Sequence, residues 1–311
     1  MSAGTLEAKG LSKSYGGRLA VDELSFTVHG GRVTGFLGPN GAGKSTTMRM
    51  FLGLDRPGAG SALVGGRPFG ELRRPLREVG AVLEAQAVHA GRTAYGHLLN
   101  LAYSNAIRRR RVEEVLETVG LAGAARQRVG GFSLGMRQRL GIAAALLGDP
   151  QILLFDEPVN GLDPEGVRWI RNLMKGLAAE GRTVFVSSHL LSEMELTADH
   201  LIVIGRGRLI ADTGVRAFLS RSTDSGTVRV RSPQAIRLAA HLRRAGGRVT
   251  ADDEGALLVS GLDSARIATV AAECGVLLHE LAAQQTSLET AFMELTGGSV
   301  EYRADRRGPT A

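Results

Sequence analysis

The chain has 311 residues, of which 43% are hydrophobic and 22% are charged, and its formal net charge is +7. This length allows about two domains with a sizeable core, and the composition excludes a disordered, collagen-like or disulfide-stabilised chain. Cys274 is the single cysteine, no apolar run approaches the ~20 residues of a membrane-spanning helix, and the first residues lack a signal-peptide pattern, so we expect a soluble intracellular protein.

The positive charge is concentrated in one part of the chain. Residues 71–140 hold twelve arginines and six glutamates, with no lysine or aspartate, so this stretch carries +6 and the remainder +1. Such a zone suits an acidic protein surface, anionic lipid headgroups or nucleic acid. It is equally typical of solvated helix surfaces in a chain that uses arginine as its main cation.

Short apolar runs alternate with helical patterns through residues 1–215. The predicted strands are 33–37, 151–155, 183–186 and 201–204, and a helix begins near Lys44. Near-continuous apolar strands separated by helices indicate a parallel α/β sheet. From about 85 to 148 the strand signal disappears, and three helical patterns at 94–103, 112–119 and 134–147 predict a helical subdomain.

After Gly214 the pattern changes to short strands and helices. Strands at 227–231, 248–250, 256–260 and 276–281 are interleaved with helices at 234–244 and from Asp263 to 273, which is the ferredoxin-like βαββαβ order. Thr286 and Glu289 have capping-box spacing and open a last helix. We expect an accessory α+β domain over 220–298 and a mobile tail over 299–311.

The strongest local motif is a phosphate-binding loop. Gly38, Pro39, Asn40, Gly41, Ala42, Gly43, Lys44, Ser45 and Thr46 fit G-x-x-x-x-G-K-[ST] between a strand and a helix. Glycines let backbone N–H groups close around phosphate oxygens, and the helix N-terminus adds the positive end of its dipole. Lys44 would reach the β- and γ-phosphates of a nucleotide, and the Ser45 hydroxyl would ligate Mg²⁺.

Two carboxylates follow the apolar strand at 151–155. Asp156 stands at the carboxyl end of that strand, where an open α/β sheet places a partner of Mg²⁺. Glu157 is the next residue and is placed to orient or deprotonate an attacking water. By itself, Asp-Glu after a strand is more often a solvated turn, but the presence of the phosphate loop favours the functional interpretation here.

The order of these motifs resembles the ATP-binding subunit of an ABC transporter, over about residues 5–215. The resemblance implies that Tyr15 stacks on adenine and that His189 is the switch histidine. It also places Asp163 in the D-loop and the signature at Phe132, Ser133, Leu134, Gly135 and Met136. In that family the signature closes in trans over ATP held by a second subunit.

Each of these residues also has a simpler reading. Tyr15 alone reads as a half-buried strand residue, and His189 as a structural histidine. Asp163 before Pro164 is a suitable cap for the next helix. Only their agreement in order and spacing favours the functional interpretation.

Two departures from the family pattern concern the signature and the Q-loop. Leu134 and Met136 replace the commoner glycine and glutamine, and Glu84 takes the Q-loop position as a metal partner, with Gln86 as the alternative after a two-residue shift. Both resemble drug- and antibiotic-resistance exporters of the bacitracin type, whose cassette is a separate chain with a C-terminal extension.

The resemblance implies an ATPase with ATP and Mg²⁺ as cofactors. It would work as a homodimer, or as a dimer with a similar cassette, on a transmembrane permease subunit at the cytoplasmic membrane face. The expected cargo is a small molecule such as a drug, antibiotic or peptide, and we expect no nucleic-acid partner. A soluble ATPase acting on DNA is disfavoured because such relatives insert long coiled coils between the phosphate loop and the signature, whereas here only 89 residues separate Lys44 from Ser133, without heptads. One acting on ribosomes is disfavoured because translation-type relatives carry two cassettes and this chain has one. An importer ATPase would keep the same chemistry and differ only in its partner.

Overall fold

The computed structural model describes residues 4–83, 88–220, 227–252, 254–283 and 287–296. These residues form two compact units whose boundary falls between Val215 and Arg216. Glu84 and Gln86, together with the predicted tail at 299–311, lie outside the described residues.

The first unit alternates strands with helices. Its strands are β1 (Leu6–Tyr15), β2 (Arg18–Val28), β3 (Arg32–Leu37), β4 (Ala59–Val64), β5 (Val79–Val82), β6 (Ile152–Asp156), β7 (Thr183–Ser188), β8 (His200–Gly205) and β9 (Arg208–Gly214). Its helices are α1 (Lys44–Phe51), α2 (Pro75–Glu78), α3 (Ala94–Ser104), α4 (Arg110–Thr118), α5 (Leu134–Leu146), α6 (Pro164–Ala179) and α7 (Leu191–Thr197). A short helix, α8 (Val215–Leu219), follows β9.

A six-stranded sheet in the order β5-β6-β7-β3-β8-β9 forms the centre of this unit. All its pairings are parallel except the one between β8 and β9, so the predicted parallel α/β sheet is confirmed. Strand β3 lies in the middle, and the loop that follows it therefore opens at the carboxyl edge of the sheet, where such folds bind ligands.

A second sheet, β2-β1-β4, is antiparallel and was not predicted as such. Packing between the two sheets involves aromatic rings: Phe26 from β2 lies 5.6 Å from Phe36 of β3, and Phe36 lies 4.9 Å from Phe185 of β7, between ring centroids. Phe51 of α1 joins the same cluster. Burial of these rings fixes α1, and with it the preceding loop, against the sheets.

The predicted helical segment is confirmed by α3, α4 and α5. Thr93 caps α3 by accepting a hydrogen bond from the N–H of Gly96 at 3.0 Å. Helix α4 begins two residues earlier than predicted, at Arg110, and Gly120 follows it with a φ of +72°. That left-handed conformation suits glycine and ends the helix.

The second unit contains β10 (Val228–Arg231), α9 (Ala235–Arg244), β11 (Arg248–Ala251), β12 (Leu257–Ser260), α10 (Ser264–Glu273), β13 (Glu280–Ala283) and α11 (Leu288–Thr296). Its sheet has the order β11-β12-β10-β13 with antiparallel pairings, which is the ferredoxin-like arrangement. Asp263 caps α10 as predicted, accepting from the N–H of Arg266 at 2.7 Å.

One prediction in this unit is wrong in detail, and a second falls outside the described residues. The last strand begins at Glu280, not Val276, because Val276 is buried in the core of the unit ahead of the strand. Ser287 accepts a hydrogen bond from the N–H of Thr290 at 3.2 Å and so caps α11, whereas the predicted cap, Thr286, lies outside the described residues.

Candidate nucleotide-binding site

The loop between β3 and α1 depends on glycines for its shape. Gly43 has a φ of +103°, and a Cβ at this position would collide with the carbonyl oxygen of Ala20. Gly41 has a φ of +80°. The backbone N–H of Gly207 donates to the carbonyl of Ala42 at 3.1 Å and anchors the loop from the β8–β9 turn. The loop is therefore held in an open curve with the start of α1 at its base.

Lys44 is held inside this curve. It is 7% exposed, and its Nζ donates to the carbonyl of Gly38 at 2.6 Å and of Pro39 at 3.3 Å. Burial lowers the pKa of Lys44, while the nearby charges of Glu157 and Asp156 act in the opposite direction. The ammonium is thus placed where it would exchange backbone carbonyls for phosphate oxygens.

A cavity of about 490 Å³ opens over the loop. It is lined by Tyr15, Arg18, Leu19, Ala20, Asn40, Gly41, Ala42, Gly43, Lys44, Ser45, Thr46, Glu157 and Arg206. The structure therefore gathers Tyr15, most of the predicted loop and Glu157 around one space. A cavity of this size falls within the range of small-molecule sites.

Tyr15 stands at the rim of the cavity with 48% of its surface exposed. Its hydroxyl donates to Asp55 at 3.0 Å, and the ammonium of Lys13 lies 5.1 Å from the ring centroid. Burial and the carboxylate of Asp55 raise the pKa of Tyr15. The phenol end is thus fixed while the ring remains available for stacking.

Glu157 has an unusual backbone that directs its side chain. Its φ is +49°, and its N–H donates to the Oγ of Ser187 at 3.1 Å and to the carbonyl of the same residue at 3.3 Å. The Nδ1 of His189 lies 2.7 Å from its Oε2, so the predicted pair of Glu157 and His189 is in direct contact. Asp156, at the end of β6, accepts a hydrogen bond from the hydroxyl of Ser187.

The predicted signature residues lie elsewhere, since the described residues lining the cavity do not include them. Ser133 is exposed, and its Oγ caps α5 by accepting from the N–H of Met136 at 3.2 Å. Asp163 caps α6 by accepting from the N–H of Gly166 at 2.8 Å, which is the simpler role that the sequence allowed. Leu134 and Gly135 lie against Gly161, close to Asp163 in the chain.

The oxygen donors near the loop suit magnesium. Ser45 lines the cavity, and Asp156 presents a carboxylate at the end of β6, which β7 separates from β3 in the sheet. Mg²⁺ prefers such oxygens, and it takes its remaining ligands from phosphates and water. Among the described residues no group of three or more histidines, cysteines, aspartates and glutamates is arranged to hold a metal without such help.

Several residues of the site escaped sequence reasoning. Arg206, at the tip of the β8–β9 turn with a φ of +50°, lines the cavity from 160 positions downstream of the loop, and Arg18 lines it from the start of β2. Gln138 is 4% exposed and donates to the carbonyl of Pro158 at 3.0 Å. Of these, only Arg206 had a local sequence signal: the sequence Gly205-Arg206-Gly207 predicts a turn, but it does not predict that the turn contacts the cavity.

The fold and the loop define the class: this is a P-loop nucleotide-binding protein with a helical subdomain. A family model described as ABC transporter matches residues 21–160, and one described as a domain of unknown function (DUF8746) matches residues 226–289. The bacitracin transport ATP-binding protein BcrA of Bacillus licheniformis is 45% identical over 65% of this chain and 67% of its own length. The chain belongs to the family of ABC transporter ATP-binding proteins.

Two further likenesses extend the comparison. The Nod factor export ATP-binding protein I of Rhizobium sp. (strain N33) is 34% identical over 97% of this chain and 100% of its own length. A solved ATP-binding subunit of an ABC transporter matches with a TM-score of 0.63 and 28% identity over 68% of this chain and 91% of that one. The predicted family, the cassette fold and the ATPase class are confirmed. Of the helices in the described part of the chain, none has the length and apolar character to cross a membrane.

Proposed function

We propose that this chain hydrolyses Mg-ATP in a two-chain composite site and thereby drives export of a small molecule through a separate membrane subunit. The observation that carries the proposal is the placement of Glu157, 2.7 Å from His189, at a cavity whose floor is the loop around Lys44. A water-orienting carboxylate, an imidazole and a phosphate-binding loop form the minimal set for hydrolysis of a γ-phosphate.

In this site Tyr15 would stack on adenine, and residues 38–46 would hold the phosphates. Ser45 and Asp156 would hold Mg²⁺, which screens the phosphate charge when bound. The Glu157 carboxylate orients the attacking water and accepts its proton, and the adjacent His189 fixes that carboxylate and donates toward the γ-phosphate oxygens. Lys44 stabilises the charge that develops as the β–γ bridging bond breaks, releasing ADP and phosphate.

A second chain would complete the site. Ser133 and Leu134 are exposed at the N-terminus of α5, and helix N-termini bind anions. Because the cavity lining comes from other residues, the phosphates that Ser133 and Gly135 contact would be those held by the partner. Leu134 and Met136 leave these backbone donors intact but remove the glutamine side chain of the commoner signature. The partner is a second copy or a similar cassette.

Export and a membrane partner are supported by the relatives and by one groove. Proteins similar to this chain bear the names of bacitracin transport and Nod factor export subunits. A groove of about 400 Å³ has an apolar lining that includes Leu52, Leu54, Val82, Leu83 and Val88. This groove would receive cytoplasmic helices of the permease and hold the chain at the inner membrane face.

The Glu157→Gln variant tests the proposal. The amide still binds water but cannot accept its proton, so ATP should remain bound and the two chains should stay together. Gel filtration with Mg-ATP should show a dimer that is absent without nucleotide, and hydrolysis should fall by about a hundredfold or more. A variant that hydrolyses ATP at the wild-type rate would exclude Glu157 as the base.

A further inference from the structure

Leu134 replaces the glycine of the commoner signature, and its side chain has a specific neighbour. Gly161 has a φ of +76°, and a Cβ there would collide with the Cγ and Cδ2 atoms of Leu134. At Gly135 a Cβ would lie 3.3 Å from the carbonyl oxygen of Gly161. The start of α5 therefore packs directly on the turn that follows Glu157.

A buried hydrogen bond joins the same helix to the same turn. The Nε2 of Gln138 donates to the carbonyl of Pro158 at 3.0 Å, and the side chain is 4% exposed. Within the turn the N–H of Asn160 donates to the carbonyl of Glu157 at 3.2 Å. Both helix contacts thus act on a short, internally bonded segment that begins at Glu157.

We infer that Leu134 and Gln138 are positioning residues that couple the signature of a chain to Glu157 of the same chain. The inference rests on the proposed function, in which the Ser133 end of α5 binds the partner's ATP while Glu157 acts on its own. Movement of α5 toward the partner's phosphates must displace the turn, because closely packed groups move together. ATP in one site thereby sets the position of the water-orienting carboxylate in the other.

The chain-specific part of this coupling is the pairing of Leu134 with Gly161. A glycine at position 134 would leave the space over Gly161 empty, and the turn would then follow α5 only through Gln138. Leu134 is 45% exposed, so shortening its side chain removes little of the core. Its effect on hydrolysis can therefore be separated from an effect on folding.

The test compares Leu134→Ala with Leu134→Met in the full-length chain. Alanine removes the atoms that lie over Gly161, whereas methionine keeps their bulk. We expect L134A to bind ATP and to retain a near wild-type KM, while kcat falls roughly three- to thirtyfold and the Hill coefficient for ATP drops toward 1. L134M should restore both values, and Q138L, which loses the donor but keeps the volume, should behave like L134A.

Leu196→Ala is the matched control, because Leu196 is another exposed helical leucine, at 53% on α7. Wild-type kcat and Hill coefficient in L134A, an equal loss in L134M and L134A, or loss of ATP binding in L134A would each overturn the inference. Failure of the wild-type chain to hydrolyse ATP would instead overturn the proposed function, and the inference with it.

Discussion

At the residue scale, the ammonium of Lys44 is held at the place where the proposed function puts the phosphates. Lys44 is 7% exposed, that burial lowers its pKa, and its ammonium donates hydrogen bonds to two carbonyls of the loop. Buried charges are tolerated only with such hydrogen-bond partners, so the loop carbonyls stabilise the charged ammonium of Lys44 at the base of the cavity. The carboxylates of Asp156 and Glu157 help to keep it protonated.

Replacing Lys44 with alanine should therefore remove a preorganised charge from the floor of the cavity. We expect ATP hydrolysis to fall by about 10²–10³-fold, the usual effect of losing one such stabilising donor. The exposed Lys175 on α6 provides the control, since K175A changes the same residue type outside the cavity. The measurement is the rate of phosphate release by K44A and by K175A, each compared with wild type. Unchanged turnover in K44A would contradict the role of the loop.

At the scale of elements, the second unit is held on one side by Arg229 of β10. Its guanidinium donates to Asp252 at 2.8 Å, to Glu254 at 2.7 Å and to Glu280 of β13 at 3.3 Å. The hydrogen bond from Arg229 holds the pKa of Asp252 below its ordinary value of 3.8. The pairs join β10 and β13 to the segment between β11 and β12.

The lowered pKa of Asp252 determines how the stability of this unit depends on pH. A carboxylate whose pKa is lowered by folding adds stability above its unfolded pKa and loses it as the pH falls through the folded value. Arg229→Met should therefore lower the unfolding midpoint near pH 7, and the difference from wild type should shrink below about pH 4. Calorimetry at several pH values measures this, with Arg237→Met on α9 as the exposed control. A constant difference down to pH 2 would contradict the account.

Some strands could be predicted from the sequence and others could not. Strands β3, β6, β7 and β8 were predictable because strands buried on both faces are continuous apolar runs. Strands β1 and β2 were not, because polar residues such as Ser12 and Lys13 interrupt them and their pairing contains register shifts. Val276 misled the prediction since buried loop residues and strand residues have the same apolar character.

The site divides in a similar way. The phosphate loop is one continuous stretch of sequence, and the carboxylates at 156 and 157 are neighbours in the chain. Local patterns were therefore enough to indicate the chemistry of each. The contact between Gln138 and Pro158 and the approach of Arg206 to the cavity join distant parts of the chain, and only the folded backbone determines them. No local pattern records that Leu134 lies over Gly161.

At the scale of the whole molecule, the cavity belongs to the first unit. All described residues that line it precede Val215. A chain ending at residue 220 keeps every described residue that lines the cavity, so it should bind Mg-ATP with an affinity within about threefold of the full chain. Fluorescence titration with a labelled nucleotide tests this, and loss of binding would show that the second unit completes the site.

We propose that each hydrolytic site is shared between two chains, and an experiment that mixes two defective chains examines this sharing. The two variants are K44A and S133A, both carrying Glu157→Gln to retain ATP, and a homodimer of either one would have both of its sites broken. In a mixed dimer one site combines Lys44 of the S133A chain with Ser133 of the K44A chain and is intact. We expect an ATP-dependent mixed dimer holding one nucleotide, while neither variant dimerises alone. Absence of the mixed dimer, or full ATP-driven dimerisation of S133A by itself, would show that the two chains do not share a site in this way.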